Sequence, residues 1–414
     1  MSKIQVNGIV AEYNPFHSGH LYQLQDAQKQ SEADYTVVVM SGNFMQRGTP
    51  ALLNKYRRTE MALRNGVDLV LELPTLYSVS SAEYFASGAV ALLDKLGVVN
   101  HLCFGSESGD IETLRRLADV LVTESEDFNN LLKQGLRRGL SYPGARSAAL
   151  TSLYPELTDC LDVLTLSNNI LGIEYLKALK RRNSSMLPIT TRRSSSDYSD
   201  RFMGSHQSSA LALRHAIYDD CDLQSLSAQM PESSFSILKE TLASTGAIRL
   251  DDFSSILHYK LLMEAPGGYT DYLDVSCDLS DRIIKHLDKF TGFRNFCDLL
   301  KTKDMTYTRI SRSLMHILLD IRSTDIEQAR KTDFVSYARV LGFRKDAEPL
   351  LTAIKKNADI PLVTKLADAE KILDKAAYET LKKELRINSV YESTVALKTG
   401  QPMANEYRSP LVII

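Results

Sequence analysis

Residues 4–20 read IQVNGIVAEYNPFHSGH, in which an apolar run ends at Ala11 and two histidines, His17 and His20, follow. The run predicts a β-strand, and the histidines then lie at the expected start of a helix. A helix N-terminus presents unpaired backbone amides and a partial positive charge, which attract phosphate. Side chains three positions apart share one face of the first turn, so we expect both imidazoles to face the same phosphate chain.

Gly19 lies between the two histidines and, lacking a side chain, is expected to let a nucleotide approach the backbone closely. Histidines at this spacing are also compatible with a metal site, but no Cys or acidic residues are grouped in support, so we predict none. Two solvated surface histidines are the other alternative. The preceding strand and the segments described below favour nucleotide binding over both.

The bulk composition indicates a soluble, two-domain protein. The 414 residues exceed one typical hydrophobic core, and 44% are hydrophobic and 24% charged, as in ordinary globular proteins. We find no signal-peptide pattern and no apolar run of membrane-spanning length, so we expect a cytoplasmic protein without a membrane partner. The five cysteines are widely separated and lack CxxC spacing, which predicts neither a disulfide framework nor a zinc ribbon.

The first half of the chain alternates strand-like and helix-like segments, which predicts an α/β fold with a Rossmann-like parallel sheet covered by helices on both faces. The expected strands are residues 4–11, 35–40, 68–73, 98–104 and 186–193. The expected helices are residues 21–30, 56–65, 81–96 and 166–180, and a further helix begins at residue 208. Ligands of such sheets bind beyond the carboxyl ends of the strands.

From about residue 223 the pattern becomes mainly helical, with apolar residues three and four positions apart. We therefore predict an α/β nucleotide-binding catalytic domain over residues 1–222 and a mainly helical domain over residues 223–414. Residues 400–414 are expected to form an irregular tail.

A basic window in the second half is a candidate RNA-binding surface. Residues 281–345 carry 14 Lys and Arg against 8 Asp and Glu, a local charge of +6 in a chain whose net charge is −2. Phosphate contacts from these cations would give affinity, and Tyr307 or Phe343 could stack a splayed base. The window's basic side chains include Lys301, Lys303, Arg309, Arg312, Arg322, Arg330, Arg339 and Arg344. The ordinary solvated face of a helix is the alternative.

Several long motifs occur in one order: AEYNPFHSGH (11–20), MSGNFMQRGTPALLNKYRRTEMAL (40–63), DLVLELP (68–74), CFGSESGDIE (103–112) and SNNILGIEYLKALK (167–180). Together they resemble the bacterial tRNA(Met) cytidine acetate ligase family of the HxGH nucleotidyltransferase superfamily. The resemblance continues more loosely through KDMTYTRISRSLMHILLDI (303–321) and through the Ser208, Ser209 and Arg214 segment. Residues 194–200 depart from the family pattern.

The resemblance implies a specific reaction. The family activates acetate with ATP to form acetyladenylate and then transfers the acetyl group to the wobble cytidine of elongator tRNA(Met), which gives N4-acetylcytidine. Mg²⁺ is expected to accompany ATP, and no DNA partner is implied. Motif matching places the ATP site at Val10, Ala11, Glu12, Tyr13, Asn14, Pro15, Phe16, His17, Ser18, Gly19, His20, Leu21, Tyr22, Gln23, Gly105, Asn168 and Arg193.

Physical chemistry gives these positions roles. His17 and His20 are expected to donate hydrogen bonds to phosphoryl oxygens in the transition state, as the catalytic residues. Arg193, with Arg214, is expected to hold pyrophosphate oxygens through bidentate bonds. Asn168 would bind ribose or phosphate, and Gly105 would let the nucleotide lie against the backbone.

Other readings of these residues stay open. Gly105 is compatible with a simple turn, Asn168 with a helix cap, and the arginines with solvated surface charges. Arg192 is the alternative to Arg193. Gln46, Arg47 and Lys55 are candidates near the acetate pocket, and a second RNA contact is suggested by Lys133, Arg137, Arg138 and Arg146 on a glycine-containing loop.

Two other functions remain as alternatives. One is an adenylyltransferase for a small phosphorylated metabolite, which would use the same histidine-rich junction. The other is a nucleotide-binding RNA adaptor without catalysis.

Overall fold

The computed structural model describes residues 4–140, 142–193 and 209–414, with the side chains of 142 and 143 left out. Within these ranges the strands are β1 (Val6–Ala11), β2 (Tyr35–Ser41), β3 (Phe44–Met45), β4 (Thr49–Pro50), β5 (Leu69–Leu73), β6 (His101–Ser106), β7 (Leu187–Arg192), β8 (Ala338–Phe343), β9 (Leu362–Val363) and β10 (Val412–Ile413). Each strand expected in the first half is present, with its ends shifted by a few residues.

Helices cover both faces of the sheet and fill most of the second half. Those of the first half are α1 (Ser18–Ser31), α2 (Lys55–Arg64), α3 (Thr75–Ser78), α4 (Ala82–Asp94), α5 (Ile111–Leu121), α6 (Glu126–Arg137), α7 (Tyr142–Leu153), α8 (Ser167–Arg182) and α9 (Ala210–Tyr218). Those of the second half are α10 (Glu232–Thr245), α11 (Ser254–Glu264), α12 (Cys277–His286), α13 (Phe293–Leu300), α14 (Tyr307–Leu318), α15 (Ser323–Lys331), α16 (Glu348–Asn357), α17 (Ala369–Ile372) and α18 (Lys375–Thr399). The start expected for the helix at residue 208 lies outside the described residues.

The central sheet has the strand order β10–β8–β5–β2–β1–β6–β7, with β9 beside β8. Strands β5, β2, β1, β6 and β7 are mutually parallel, as expected, whereas β8 runs antiparallel to β5. The chain moves outward from β1 to β2 and β5 and then returns to place β6 on the other side of β1. Such a reversal opens a crevice at the carboxyl ends of the two strands, where ligands of α/β sheets bind.

The central strands are buried along most of their length because helices cover both of their faces. Val37, Val38, Val39 and Met40 of β2 are fully buried, and so is the run 69–73 of β5 apart from a trace of exposure at Glu72. A strand buried on both sides is expected to read as a continuous apolar run.

The expected irregular tail is wrong in part. Residues 406–408 form a 3₁₀ turn, and β10 pairs in parallel with β8, so the end of the chain extends the central sheet. Weak apolar periodicity over so few residues gave no local signal for this pairing. The second half is helical as predicted, yet it supplies β8, β9 and β10 to the sheet, and the boundary at residue 222 stays a prediction.

A buried ionic cluster joins the two halves, and we call it the Lys55 cluster: Lys55, Glu72, Arg339 and Glu406. Lys55 Nζ lies 2.6 Å from Glu72 Oε1 and also pairs with Glu406. Arg339 lies 3.0 Å from Glu72 Oε2 and 2.9 Å from Glu406 Oε1. The expectations that Lys55 lines an acetate pocket and that Arg339 contacts RNA are therefore wrong, because these carboxylates sequester both cations in the interior.

Candidate nucleotide-binding site

A cleft of about 150 Å³ lies at the carboxyl ends of β1 and β6, where the sheet topology predicts a ligand. Most of the expected site residues line it: Val10, Ala11, Glu12, Tyr13, Asn14, His17, His20, Gln23, Gly105, Asn168 and Arg193. Arg214, Gln46 and Arg47 line it as well. Residues from both ends of the first half therefore converge on one space.

His17 and His20 fold back on the backbone at the start of α1. His17 is the N-cap residue, and its Nδ1 accepts a hydrogen bond of 3.0 Å from the Gly19 amide. The Nδ1 of His20 accepts one of 3.3 Å from the His17 amide, which completes a capping box. A neutral imidazole whose Nδ1 accepts must carry its proton on Nε2. Both rings therefore keep an Nε2–H donor.

Both histidines are held in the neutral form. Burial, followed by the charges of Arg193 and Arg214, lowers the pKa of His17 to about 3. Burial, followed by His17 and the same two arginines, lowers the pKa of His20 well below its ordinary value. Removing a cationic imidazole from water is costly, and two nearby guanidinium groups add repulsion. The site thus presents neutral hydrogen-bond donors among fixed positive charges.

Gly19 has a different role from the one expected. A Cβ at this position would lie 2.8 Å from Cε1 of His17, so the missing side chain makes room for the imidazole that caps the helix. Gly19 is also absent from the lining of the cleft, as are Pro15, Phe16, Ser18, Leu21 and Tyr22. Phe16 is fully buried and packs against Tyr13, with ring centroids 4.7 Å apart. These neighbours support the site from behind.

Gly105 and Arg193 form a matched pair across β6 and β7. Gly105 lies within β6 opposite Thr191, so it makes no turn. A Cβ on Gly105 would lie 3.2 Å from Cγ and 3.3 Å from Cδ of Arg193. The glycine therefore provides space for the arginine stem as it crosses toward the cleft.

Arg193 is the member of the Arg192–Arg193 pair that lines the cleft. Arg192 is exposed and its stem packs over Gly109, whose Cβ would lie 2.5 Å from that of Arg192. Arg214 reaches the cleft from α9, and its Nη1 donates a hydrogen bond of 2.7 Å to the Asn14 carbonyl. Ser209 caps α9 by accepting from the Ala212 amide at 3.2 Å, as its sequence position indicated. Ser208 and residues 194–200 lie outside the described ranges.

Asn168 does not cap its own helix. Instead the Glu107 carboxylate, at the end of β6, caps α8: Oε1 accepts from the Asn168 backbone amide at 3.1 Å and from its Nδ2 at 2.7 Å. Oε2 accepts from the Asn169 amide at 2.8 Å, and Asn169 Oδ1 in turn accepts from the amides of Glu107 and Ser108. This exchange fixes Asn168 at the edge of the cleft.

Arg58 is a supporting residue that the sequence did not single out. It is fully buried, and its guanidinium donates to the carbonyls of Leu53, Glu12, Ser41 and Gly42. These bonds tie the carboxyl ends of β1 and β2 together, and burial lowers the Arg58 pKa to about 10. The only local signal was a pair of adjacent arginines, which is usually a surface feature.

Part of the expected RNA-contacting charge is used within the protein. Arg312 pairs with Asp274 at 3.0 Å, Arg322 with Asp320 at 3.1 Å and Arg344 with Asp346 at 2.6 Å. Exposed cations of the window that make no ion pair with any described residue include Lys301, Lys303, Arg309 and Arg330.

The second candidate RNA contact lies at the end of α6. Lys133, Arg137 and Arg138 are exposed on or beside this helix, where a loop had been expected. Arg146 is partly buried and donates to the Leu164 carbonyl at 3.2 Å.

The residues that the structure describes contain neither a metal-binding group nor a membrane-spanning helix. Within residues 4–140, 142–193 and 209–414, no three His, Cys, Asp or Glu side chains come together as a metal-binding group. Among the same residues, the helices are all too short or too polar to cross a lipid bilayer. All five cysteines are free thiols.

Comparison with known proteins defines the class. Residues 4–406 match the HIGH Nucleotidyl Transferase family, so the fold and the histidine-capped helix belong to a nucleotidyltransferase. The tRNA(Met) cytidine acetate ligase of Acetivibrio thermocellus is 39% identical, with 99% of this chain and 100% of that protein covered. That of Clostridium perfringens is 40% identical, with 94% and 98% covered. The chain belongs to the tRNA(Met) cytidine acetate ligase family, which confirms the resemblance.

Solved structures agree with this assignment. The crystal structure of Thermotoga maritima TmcAL bound with alpha-thio ATP is 31% identical and superposes with a TM-score of 0.90, covering 99% of this chain and 100% of that one. The apo form of the same protein superposes with a TM-score of 0.93. The α/β fold class with a following helical part is therefore confirmed.

Proposed function

We propose that this chain activates acetate with ATP and transfers the acetyl group to the wobble cytidine of elongator tRNA(Met), which forms N4-acetylcytidine. Family membership supports this function, since the relatives named above are tRNA(Met) cytidine acetate ligases. ATP as the activating substrate is supported by the Thermotoga maritima relative, whose structure holds an ATP analogue.

The observation that carries the proposal is the neutral histidine pair with two Nε2–H donors beside Arg193 and Arg214. In the first step an acetate oxygen attacks the α-phosphorus of ATP, a new acetyl–phosphate bond forms, and the bond to the β-phosphate breaks. Pyrophosphate leaves with the electron pair. Negative charge builds on phosphoryl oxygens, and fixed donors aimed at them stabilise the transition state without reorganising.

The cleft is divided in a way that suits a nucleoside triphosphate. Its apolar lining includes Phe85, Phe104, Leu171, Tyr175 and Leu211, which fit an adenine ring, while the histidines and arginines fit the phosphates. Phe104 and Tyr175 pack together with ring centroids 5.5 Å apart. Asn168, held by Glu107, is then available to the ribose or a phosphate.

Magnesium has no protein cage among the described residues, because no three of their acidic, His or Cys side chains come together as a metal-binding group. Glu12 is the carboxylate that lines the cleft, and one of its oxygens already accepts from the Gln46 amide at 2.8 Å. Mg²⁺ that arrives with ATP would be held mainly by phosphates and water.

In the second step the exocyclic amine of the cytidine attacks the acetyl carbonyl carbon, AMP leaves, and the nitrogen loses a proton. The exposed cations of α6 and of the basic window are the candidate contacts for the tRNA phosphates. A tRNA substrate is consistent with a cytoplasmic enzyme, and no DNA partner is required.

The direct test is to incubate purified protein with ATP, labelled acetate and elongator tRNA(Met). We expect label to appear as N4-acetylcytidine at the anticodon and AMP to be released. A folded protein that binds ATP but leaves the tRNA unlabelled would refute the proposal.

A second assay separates the ligase from a metabolite adenylyltransferase. Acetate should support exchange of labelled pyrophosphate into ATP without tRNA, because acetyladenylate formation is reversible. An adenylyltransferase would require a phosphorylated metabolite instead, and an adaptor would show no exchange.

A further inference from the structure

One wall of the cleft is the hairpin of β3 and β4, residues 44–50. In it Phe44 pairs with Pro50 and Met45 with Thr49. The turn between the strands carries Gln46 and Arg47, and both of these residues line the cleft. The Gln46 amide donates to Glu12 Oε1 at 2.8 Å, which attaches the hairpin to the end of β1.

The second attachment of the hairpin comes from the helical half. Ser311 of α14 is fully buried, and its Oγ donates a hydrogen bond of 2.8 Å to the Gly48 carbonyl. Gly48 has φ +70°, and a Cβ on it would lie 2.4 Å from the backbone nitrogen of Arg312. The hairpin therefore rests directly on the helix backbone, at a distance that only glycine permits.

We propose that Ser311 is a positioning residue of the cleft: through Gly48 it fixes where the hairpin holds Gln46 and Arg47. Ser311 itself does not line the cleft. Gly48 closes the turn, with its amide donating to the Met45 carbonyl at 2.9 Å, so the two cleft-lining residues lie between anchored neighbours. A shift of Gly48 is transmitted to Gln46 and Arg47 over one or two peptide units. The effect on catalysis rests on the proposed function, whereas the effect on nucleotide binding does not.

The chain offers a matched control on the same helix. Ser313 is also fully buried, but its Oγ donates to the carbonyls of Asp274 and Arg309, at 3.0 Å each, and not to the hairpin. Ser311→Ala and Ser313→Ala each delete one buried hydroxyl and leave a carbonyl without its partner.

The experiment measures acetate-dependent pyrophosphate exchange and ATP affinity by calorimetry, well below the unfolding temperature. We expect Ser311→Ala to lower both kcat/KM for exchange and ATP affinity by about threefold to tenfold. This is the effect expected when one hydrogen bond that orders the hairpin is lost. Ser313→Ala should change both by less than about twofold, because the Ser313 hydroxyl bonds Asp274 and Arg309 and not the hairpin. A purely structural serine would instead make the two serine variants equal.

Gly48→Ala is the stronger perturbation. Its Cβ forces the hairpin away from α14, and a displacement of about 1 Å can cost on the order of a hundredfold in rate. Circular dichroism shows whether the Gly48→Ala variant folds. If it does not fold, Ser311→Ala alone tests the positioning role.

The outcomes are separable. Wild-type protein that binds ATP but gives no acetate-dependent exchange overturns the proposed function, and calorimetry on the variants still tests the positioning role. Equal ATP affinity and equal exchange in Ser311→Ala and Ser313→Ala overturn the positioning role alone.

Discussion

His17 performs two tasks with one imidazole, since Nδ1 caps α1 and Nε2 is left for the ligand. Asn is among the best N-cap residues but has no group that reaches as far as Nε2. We expect His17→Asn to keep the stability of the wild type while lowering the exchange rate by roughly 10²–10³, the cost of losing one transition-state donor. His17→Ala should lose the same activity and also about 1 kcal/mol of unfolding free energy, because the cap is gone.

Urea unfolding and pyrophosphate exchange on both variants check this division. Equal stability of the Asn and Ala variants would mean that Nδ1 does not cap the helix.

The neutral state of the histidines gives a pH prediction. An unfolded histidine titrates near pH 6.5, whereas burial lowers the pKa of His17 to about 3 and that of His20 well below its ordinary value. Below about pH 6.5 the unfolded chain takes up protons that the folded chain refuses, so these residues reduce stability as the pH falls from there toward 3. Above that range they contribute no pH dependence. NMR of the free protein should show constant ring shifts for both residues from about pH 8 to 5; a midpoint near 6.5 for either one would contradict the assignment.

At the scale of elements, the cap on α8 is supplied by a different element. Glu107 accepts three hydrogen bonds from Asn168 and Asn169, so Glu107→Ala should cost about 1–2 kcal/mol of unfolding free energy. Asn168 also loses its anchor, and we expect the dissociation constant for ATP to rise by about threefold to tenfold. Denaturant unfolding and calorimetry measure the two effects.

A matched control is Glu112→Ala. Among the residues that the structure describes, Glu112 forms an ion pair with Arg115 alone, at 2.7 Å, on the exposed side of α5. Its removal should change stability by less than about 0.5 kcal/mol and leave ATP affinity unchanged. If the Glu107 variant behaves in the same way, the cap does not organise this edge of the cleft.

The elements of the first half were predictable because their signals are local. The apolar run that ends at Ala11 and the two histidines lie within the first twenty residues. The serine that precedes α9 and the arginine within that helix are likewise close to each other in the sequence. Glu107 and Asn168 are 61 residues apart, and Ser311 and Gly48 are 263 apart. No periodicity records such partnerships, which is why the cap of α8 and the anchoring of the hairpin emerged only from the fold.

At the scale of the whole molecule, the Lys55 cluster joins α2, β5, β8 and the end of the chain. Glu406→Gln would leave Lys55 and Arg339 with Glu72 as their one ion-pair partner among the described residues. Breaking one partner of a buried ionic network leaves uncompensated charge, so we expect a loss of roughly 3 kcal/mol in unfolding free energy. The urea midpoint, at unchanged m-value, measures it.

The control is Glu379→Gln, which removes an exposed carboxylate paired with Lys382 on α18. A surface pair of this kind contributes at most about 1 kcal/mol. Comparable losses of unfolding free energy in the two variants would show that the Lys55 cluster does not stabilise the fold.

The same cluster explains why two expectations were wrong. Arg339 counts toward the basic window of the sequence and Lys55 toward the candidates for the acetate pocket, yet each is nearly inaccessible to solvent. Their partners Glu72 and Glu406 come from a central strand and from the end of the chain. Local charge therefore overstated the surface available to RNA.

Tyr56 and Glu406 are 350 residues apart, although their side chains meet beside the Lys55 cluster. On the ribosome, the neighbouring Lys55 and Glu72 leave the exit tunnel long before Arg339 and Glu406. Until β8 and then β10 have been synthesised, β5 is an unpaired edge strand of the nascent first half. Translation thus delivers the histidine-capped helix early and the groups that close the interior last, so completion of the enzyme is a late event in its synthesis.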